Sequence, residues 1–145
     1  MNKEHFKKLE QMYLNANVNT DIFDSTTARI SEEKAEIGLT IDKKYFHALG
    51  AIHGSVYFKL LDDAAFFSVN SIVSDVFVLT TSFNINIIRP ATEGKLNAIG
   101  TVRFKSKSLF VAESKLYNEA GKEIAFGTGQ FAKSKVPLTP EIGYV

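Results

Sequence analysis

The chain has no cysteine in its 145 residues, which excludes a disulfide scaffold and any thiolate zinc site. Its three histidines, His5, His47 and His53, are scattered and show no metal-cage spacing with acidic residues, so no metal is expected. An excess of one charge is also missing: 17 Lys and Arg against 16 Asp and Glu leave a formal net charge of +1. Such a balance predicts no strong field for nucleic acid or for acidic membranes, so neither is an expected partner. There is no long uncharged apolar run, and the opening MNKEHFKKLEQ lacks an apolar secretory segment. A cytoplasmic location is the expectation. No Gly-rich phosphate loop follows a strand, and Ser55 and Ser68 lack the context of a nucleophile elbow. No internal repeat, low-complexity tract or linker interrupts the sequence.

What is present is an ordinary globular balance, 45% hydrophobic and 23% charged, in a length that suits one domain over residues 1–145. Twelve Phe and no Trp point to an aromatic-rich interior. Phe6, Leu9, Met12 and Tyr13 recur at helical spacing, predicting a short amphipathic helix over about 3–15. Asn15 to Asn19 reads as a loop, and Ile22 to Ile30 shifts toward alternation. After a turn at 31–34, Ala35, Ile37, Leu39 and Ile41 alternate with Glu36, Gly38 and Thr40, the period of a half-buried strand. Four more strand-like runs follow residue 76, separated by compact turns, and short turns demand antiparallel neighbours. They cover 77–88, 95–105, 109–117 and 122–132. The tail 133–145 carries Pro137 and Pro140 and shows no period.

Between these groups lies AIHGSVYFKLLDDAAFFSVNSIV, residues 51–73, read as a central helix over about 53–73. It is apolar nearly all round, the mark of a buried helix. The expected architecture is α+β, one antiparallel sheet wrapped around this helix. A sheet covers a helix on one side only, so a second subunit is expected to cover the rest.

Two adjacent carboxylates sit mid-helix, and at about 3.6 residues per turn they point about 100° apart. Asp62 falls on the face of Ser55, Phe58, Ala65, Phe66 and Val69, which is mostly apolar. Burial there disfavours its charged form, a condition that active sites use to make a base or nucleophile near neutral pH. A hydrogen-bonded structural carboxylate is the alternative. Asp63 falls beside Lys59 and Asn70 and reads as a solvated or interface salt bridge with Lys59. His53-Gly54 stands where the helix begins. Free N–H groups point out of a helix start, and Gly54 allows a ligand close to the backbone, so its N–H is a candidate oxyanion donor. A plain loop-to-helix turn with a hydrogen-bonded histidine reads the same pair. His47 is either a polar site residue or a loop histidine.

Gly50-Ala51-Ile52-His53-Gly54-Ser55, then Asp62 nine positions after the histidine, then a β-run ending Ile87-Ile88-Arg89-Pro90-Ala91, resembles the hotdog-fold acyl-CoA thioesterases. The pattern looks like the phenylacetate-pathway (PaaI-like) branch, and the likeness runs from about Ile22 to Ala132. The resemblance implies a hotdog fold that hydrolyses an acyl-CoA without a cofactor, CoA being part of the substrate. Asp62 would be the general base or nucleophile, and the Gly54 N–H would polarise the thioester carbonyl. His53 would stand near that hole, and Thr80 would orient water. The implied site forms across a homodimer, and such dimers often pair into tetramers. Ser55, Phe66, Arg89 and Lys107 are the residues placed against substrate, with Arg103 and Lys105 as further candidate phosphate contacts. Two positions depart from the branch pattern: His47 replaces an asparagine and Ser55 replaces the second glycine of His-Gly-Gly. These departures keep a non-catalytic acyl-CoA-binding or sensing protein as the alternative function. The His-Phe-Pro-Gly and Asp-x-Asn-Pro-x-His motifs of hotdog dehydratases and hydratases are absent.

Overall fold

The computed structural model describes residues 2–145. An N-terminal helix, α1 (Lys3–Leu14), is capped by Asn2, whose side chain accepts from the His5 N–H. A π-helical turn at Val18–Ile22 follows, then the hairpin β1 (Thr27–Ser31) and β2 (Lys34–Thr40). The central helix α2 (Gly54–Asn70) precedes β3 (Val76–Ile87), β4 (Lys95–Lys105), β5 (Leu109–Tyr117) and β6 (Glu123–Pro137). All six strands form one sheet in the order β1-β2-β4-β5-β6-β3, every pairing antiparallel.

The expected sequence of elements, helix, two strands, long helix and four strands, is the observed one. Four details differ. Alternation at 22–26 is not strand: Ile22 ends the π-helical turn, whose first residues lie in the stretch expected to be loop. α2 ends at Asn70 rather than 73, with Ser71 as its C-cap. The tail is more ordered than its lack of period suggested, because β6 runs on to Pro137 and a 3₁₀ turn at Pro140–Ile142 follows. Asn70 does not join Asp63 and Lys59 in a polar stripe. Its side chain is fully buried, accepts from the Val78 N–H, and donates to the carbonyls of Val73 and Val76.

The sheet curls around α2, whose Leu60, Leu61, Ala64, Ala65 and Val69 are wholly enclosed. Close approach of helix and sheet depends on Gly100 in β4. A Cβ there would lie 2.2 Å from the Ala64 carbonyl oxygen and 2.6 Å from the Ala65 nitrogen, so only glycine fits. The far end of α2 is covered from within the chain. Tyr13 packs edge-on against Phe67, and buried His5 bridges the Asn70 carbonyl (2.9 Å) and the Tyr144 hydroxyl (2.7 Å). Cover for that end of the helix thus comes from α1 and the C-terminal tail. Phe58 is the large apolar side chain that α2 leaves exposed, and it meets Phe83 of β3 edge-on at 5.6 Å.

What the chain leaves open is an edge. Among the described residues β3 pairs with β6 on one side and with no strand on the other, and it is 12 residues long. Long bare edges invite pairing with another chain. β3 also carries register irregularities at Val76/Val78 and Thr80/Ser82. They break the strict alternation, so that Val78 and Thr80 reach the helix near one end while Phe83 and Ile85 pack against the core farther on.

Candidate active site

Asp62 sits two turns into α2 and is half-buried. Thr80 of β3 donates its hydroxyl to Asp62 Oδ1 at 2.9 Å. Burial is the main influence on the carboxyl and pushes it up to about 6; the Thr80 bond opposes the rise, the Asp63 charge adds to it and the Lys59 charge opposes it. A carboxylate that changes charge near pH 6 can take a proton from water and return it. It opens onto an apolar cavity of about 740 Å³. Phe66, Phe67 and Phe77 form one wall, and Met12, Val18 and Ile142 from the two terminal segments form another. The Phe66 ring meets Phe67 and Phe131 edge-on and Phe77 at a tilt.

Asp63, one position on, forms the salt bridge with Lys59 that was expected as solvated or interfacial, at 2.8 Å. The pair is not solvated: the two side chains are only 20% and 13% exposed. The Tyr13 hydroxyl donates to Asp63 at 2.6 Å. Burial, reinforced by the Asp63 charge, raises Tyr13 well above the usual tyrosine range, so this hydroxyl keeps its proton. Sequence reasoning placed Tyr13 on the apolar face of α1 and missed its role. A buried tyrosine usually needs a partner for its hydroxyl, and that was the available signal.

The helix start forms a separate cleft of about 320 Å³, bordered by His47, Gly54, Tyr57, Ile87 and Arg89. His53 is the N-cap of α2: its Nδ1 accepts from the Ser55 N–H at 3.0 Å and lies 2.8 Å from Ser55 Oγ. The structural reading of His53 and Ser55 thus has direct support, since each satisfies the other. The Val56 N–H bonds to the His53 carbonyl. Among the described residues the Gly54 N–H meets no acceptor. Nor does packing require glycine at 54: a Cβ would only touch Ile87 Cδ1 at an ordinary 3.5 Å.

His47 is exposed in the loop before the helix, where its Nδ1 accepts from the Leu49 N–H at 3.1 Å. Arg89 is exposed at the edge of the same cleft, and its carbonyl accepts from the Tyr57 hydroxyl. Lys107 borders neither cavity; it stands exposed in the turn between β4 and β5. Arg103 and Lys105 are taken up by Glu113 and Glu33. Within one chain, then, Asp62, Thr80 and Phe66 come together, and Gly54, His53, Ser55, His47 and Arg89 come together elsewhere. Gly54 and Asp62 stand eight positions apart along α2, about 12 Å at 1.5 Å per residue. Among the described residues no cluster of His, Asp or Glu is placed to hold a metal, and no helix is long and apolar enough to cross a membrane.

Residues 49–125 match the thioesterase superfamily, more than half of the chain and a span that includes Gly54, Asp62, Thr80 and Arg89. The chain belongs to that superfamily. Thioester hydrolysis is accordingly its class of chemistry. Comparison with curated proteins gives no match. Among solved structures, the PaaI protein of the Escherichia coli phenylacetic acid degradation operon is similar at 21% identity. It superposes with a TM-score of 0.83 over 94% of this chain and 97% of its own. A thioesterase of Haemophilus influenzae is similar at 20% identity and TM-score 0.73, with 88% of each chain covered. A conserved protein of Pseudomonas aeruginosa reaches 0.76 at 21% identity, over 85% of this chain and 97% of its own. The hotdog fold expected from the motif is the fold observed.

Proposed function

We propose that the protein hydrolyses an acyl-CoA thioester to the free acid and CoA, with Asp62 as the general base. The observation that carries this reading is Asp62 itself: a half-buried carboxyl raised to about 6, bonded to one hydroxyl, at the wall of an apolar cavity large enough for an acyl group. Asp62 takes a proton from water as the water oxygen attacks the thioester carbon. The carbonyl electrons move onto oxygen, and the free Gly54 N–H is the donor that stabilises them. Collapse of that intermediate breaks the C–S bond, and the proton held on Asp62 passes to the leaving thiolate. Direct attack by Asp62 on the carbonyl, with water then cleaving the mixed anhydride, uses the same groups.

Asp62 and Gly54 of one chain are too far apart to share a carbonyl, so the site we propose is completed by a second copy. Antiparallel self-pairing of the β3 edge, centred near Phe83 and Asn84, sets Thr80 against the partner's Ile87. Thr80 holds Asp62, and Ile87 lies against Gly54. One such homodimer therefore brings each carboxylate toward the other chain's helix start, in two equivalent sites. Arg89, at the mouth of the Gly54 cleft, is the cation placed to meet the CoA moiety.

The deciding experiment is thiol release from a panel of acyl-CoAs by the wild-type chain and Asp62→Asn. Loss of about 10²-fold or more in kcat is expected for a missing general base. Undiminished turnover by the variant would refute the assignment. Binding of acyl-CoA with no thiol release by the wild type would instead establish the acyl-CoA-binding alternative.

A further inference from the structure

The proposed mechanism uses one of two adjacent carboxylates, and the other is held in an unusual way. Asp63 Oδ2 accepts from Lys59 Nζ at 2.8 Å and from the Tyr13 hydroxyl at 2.6 Å, while Lys59 Nζ also donates to that hydroxyl at 3.1 Å. The ammonium lies 4.8 Å from the centre of the Phe23 ring and 5.1 Å from that of Tyr13. An ordinary pair four residues apart on a helix swings in solvent and is screened. Here α1 and the segment after it enclose the pair, so both charges stay in place and act through less water.

Both also border the cavity that Asp62 opens onto. Among the described residues, Asp63 and Lys59 are the charged groups that act on Asp62, and their effects have opposite signs. Thr80, from β3, is the polar group on the remaining side. Tyr13, from α1, stays a neutral donor. An unpaired Asp63 would press Asp62 toward its neutral form, and an unpaired Lys59 would draw it into an ion pair, making it a weak base.

We propose that the Lys59–Asp63 pair, pinned by Tyr13, is a positioning device for Asp62: each fixed charge cancels the other's pull on the carboxyl, so that neither displaces it from its working ionisation state. This rests on Asp62 being the base. It also gives α1, which lies outside the matched motif, a part in the chemistry.

The test is the pH dependence of kcat/KM for Lys59→Met, Asp63→Asn and the double variant, with an acyl-CoA that the wild type turns over. In parallel, the Asp62 carboxyl is titrated by ¹³C NMR, which reads the group without turnover. Lys59→Met removes a charge that favours the carboxylate, so its inflection moves to higher pH. Asp63→Asn removes a like charge and moves it lower. Each displacement should be about half a pH unit or more, as expected for a close, partly enclosed charge. The double variant should return close to the wild type. A merely structural pair would lower kcat in both variants without opposed displacements. Should Lys59→Met not fold, Lys59→Gln keeps a donor to the Tyr13 hydroxyl while removing the charge. Inflections that stay put or move together, by rate and by NMR, overturn the proposal. Opposed NMR shifts with an unmoved rate inflection support the pair's hold on Asp62 and overturn Asp62 as the base.

Discussion

Thr80 Oγ1 stands 2.9 Å from Asp62 Oδ1, a bond between the edge strand and the central helix that works against the burial of the carboxylate. Charge-assisted hydrogen bonds favour the ionised acceptor. Thr80→Val removes the donor and keeps the shape, so the Asp62 carboxyl should rise above about 6. The limb of the pH profile that depends on ionised Asp62 then moves to higher pH, by about one unit if the bond is worth about 1.5 kcal/mol. A profile identical to wild type would mean that the bond does not control the base.

Asp62→Asn has a second expected consequence, opposite in sign to its effect on turnover. A carboxyl raised to about 6 in the fold is protonated more readily there than in the unfolded chain, where it titrates near 3.9. Its contribution to stability is therefore full below about pH 4 and is lost as pH rises through about 6. At pH 7 the ionised group strains the fold, by about 1–2 kcal/mol once its partial exposure is allowed for. Asn cannot ionise. Denaturant unfolding should show Asp62→Asn more stable than wild type at pH 7–8 and about equal to it at pH 4. Equal stability at both would argue against a burdened carboxylate.

Local sequence pattern carried the elements and half of the site. Alternation in Ala35–Ile41 and the all-round apolarity of residues 54–70 reflect forces that act within a few residues, so the strands and the buried helix were readable. The same helical geometry separated Asp62 from Asp63. What stayed hidden arises from contacts between distant segments. The Tyr13 hydroxyl meets Asp63 across 50 positions, and His5 meets Tyr144 across 139. Neither spacing leaves a periodic trace. The wrapping of α2 by α1 and the tail was missed for that reason, and with it the enclosure of the Lys59–Asp63 pair. The bulge near Thr80 was likewise invisible, since an unbroken alternation describes Phe77–Ile87 equally well.

Gly100→Ala should be among the most damaging single methyl additions to this chain. The new Cβ would lie 2.2 Å from the Ala64 oxygen and 2.3 Å from its carbonyl carbon, and neither backbone atom can move without displacing α2 from the sheet. Overpacking of a core typically costs about 1–3 kcal/mol, and direct contact with the α2 backbone should place this case at the upper end or beyond. Thermal unfolding of Gly100→Ala beside Gly121→Ala separates this steric cause from backbone strain. Gly121 has φ +83 but open space around it, so only strain acts there and the loss should be smaller.

Gly54 offers a cleaner removal of an oxyanion donor than most active sites allow. It is the first residue of α2, preceded by His53 at φ −64 and ψ 148. A first helical position tolerates proline, and an extended residue before it is the conformation that proline requires. Gly54→Pro deletes the N–H while leaving the helix its start, so Tm should stay near wild type while kcat falls about 10²–10³-fold. Its real use is in combination. If each site takes Asp62 from one chain and Gly54 from the other, a mixed dimer of Asp62→Asn with Gly54→Pro carries one site spoiled twice and one site wholly intact. Random pairing of equal amounts then restores about one quarter of wild-type turnover from two nearly inactive parents. A site contained in one chain gives no recovery at any mixing ratio, because every carboxylate or every donor it needs is then missing from its own helix.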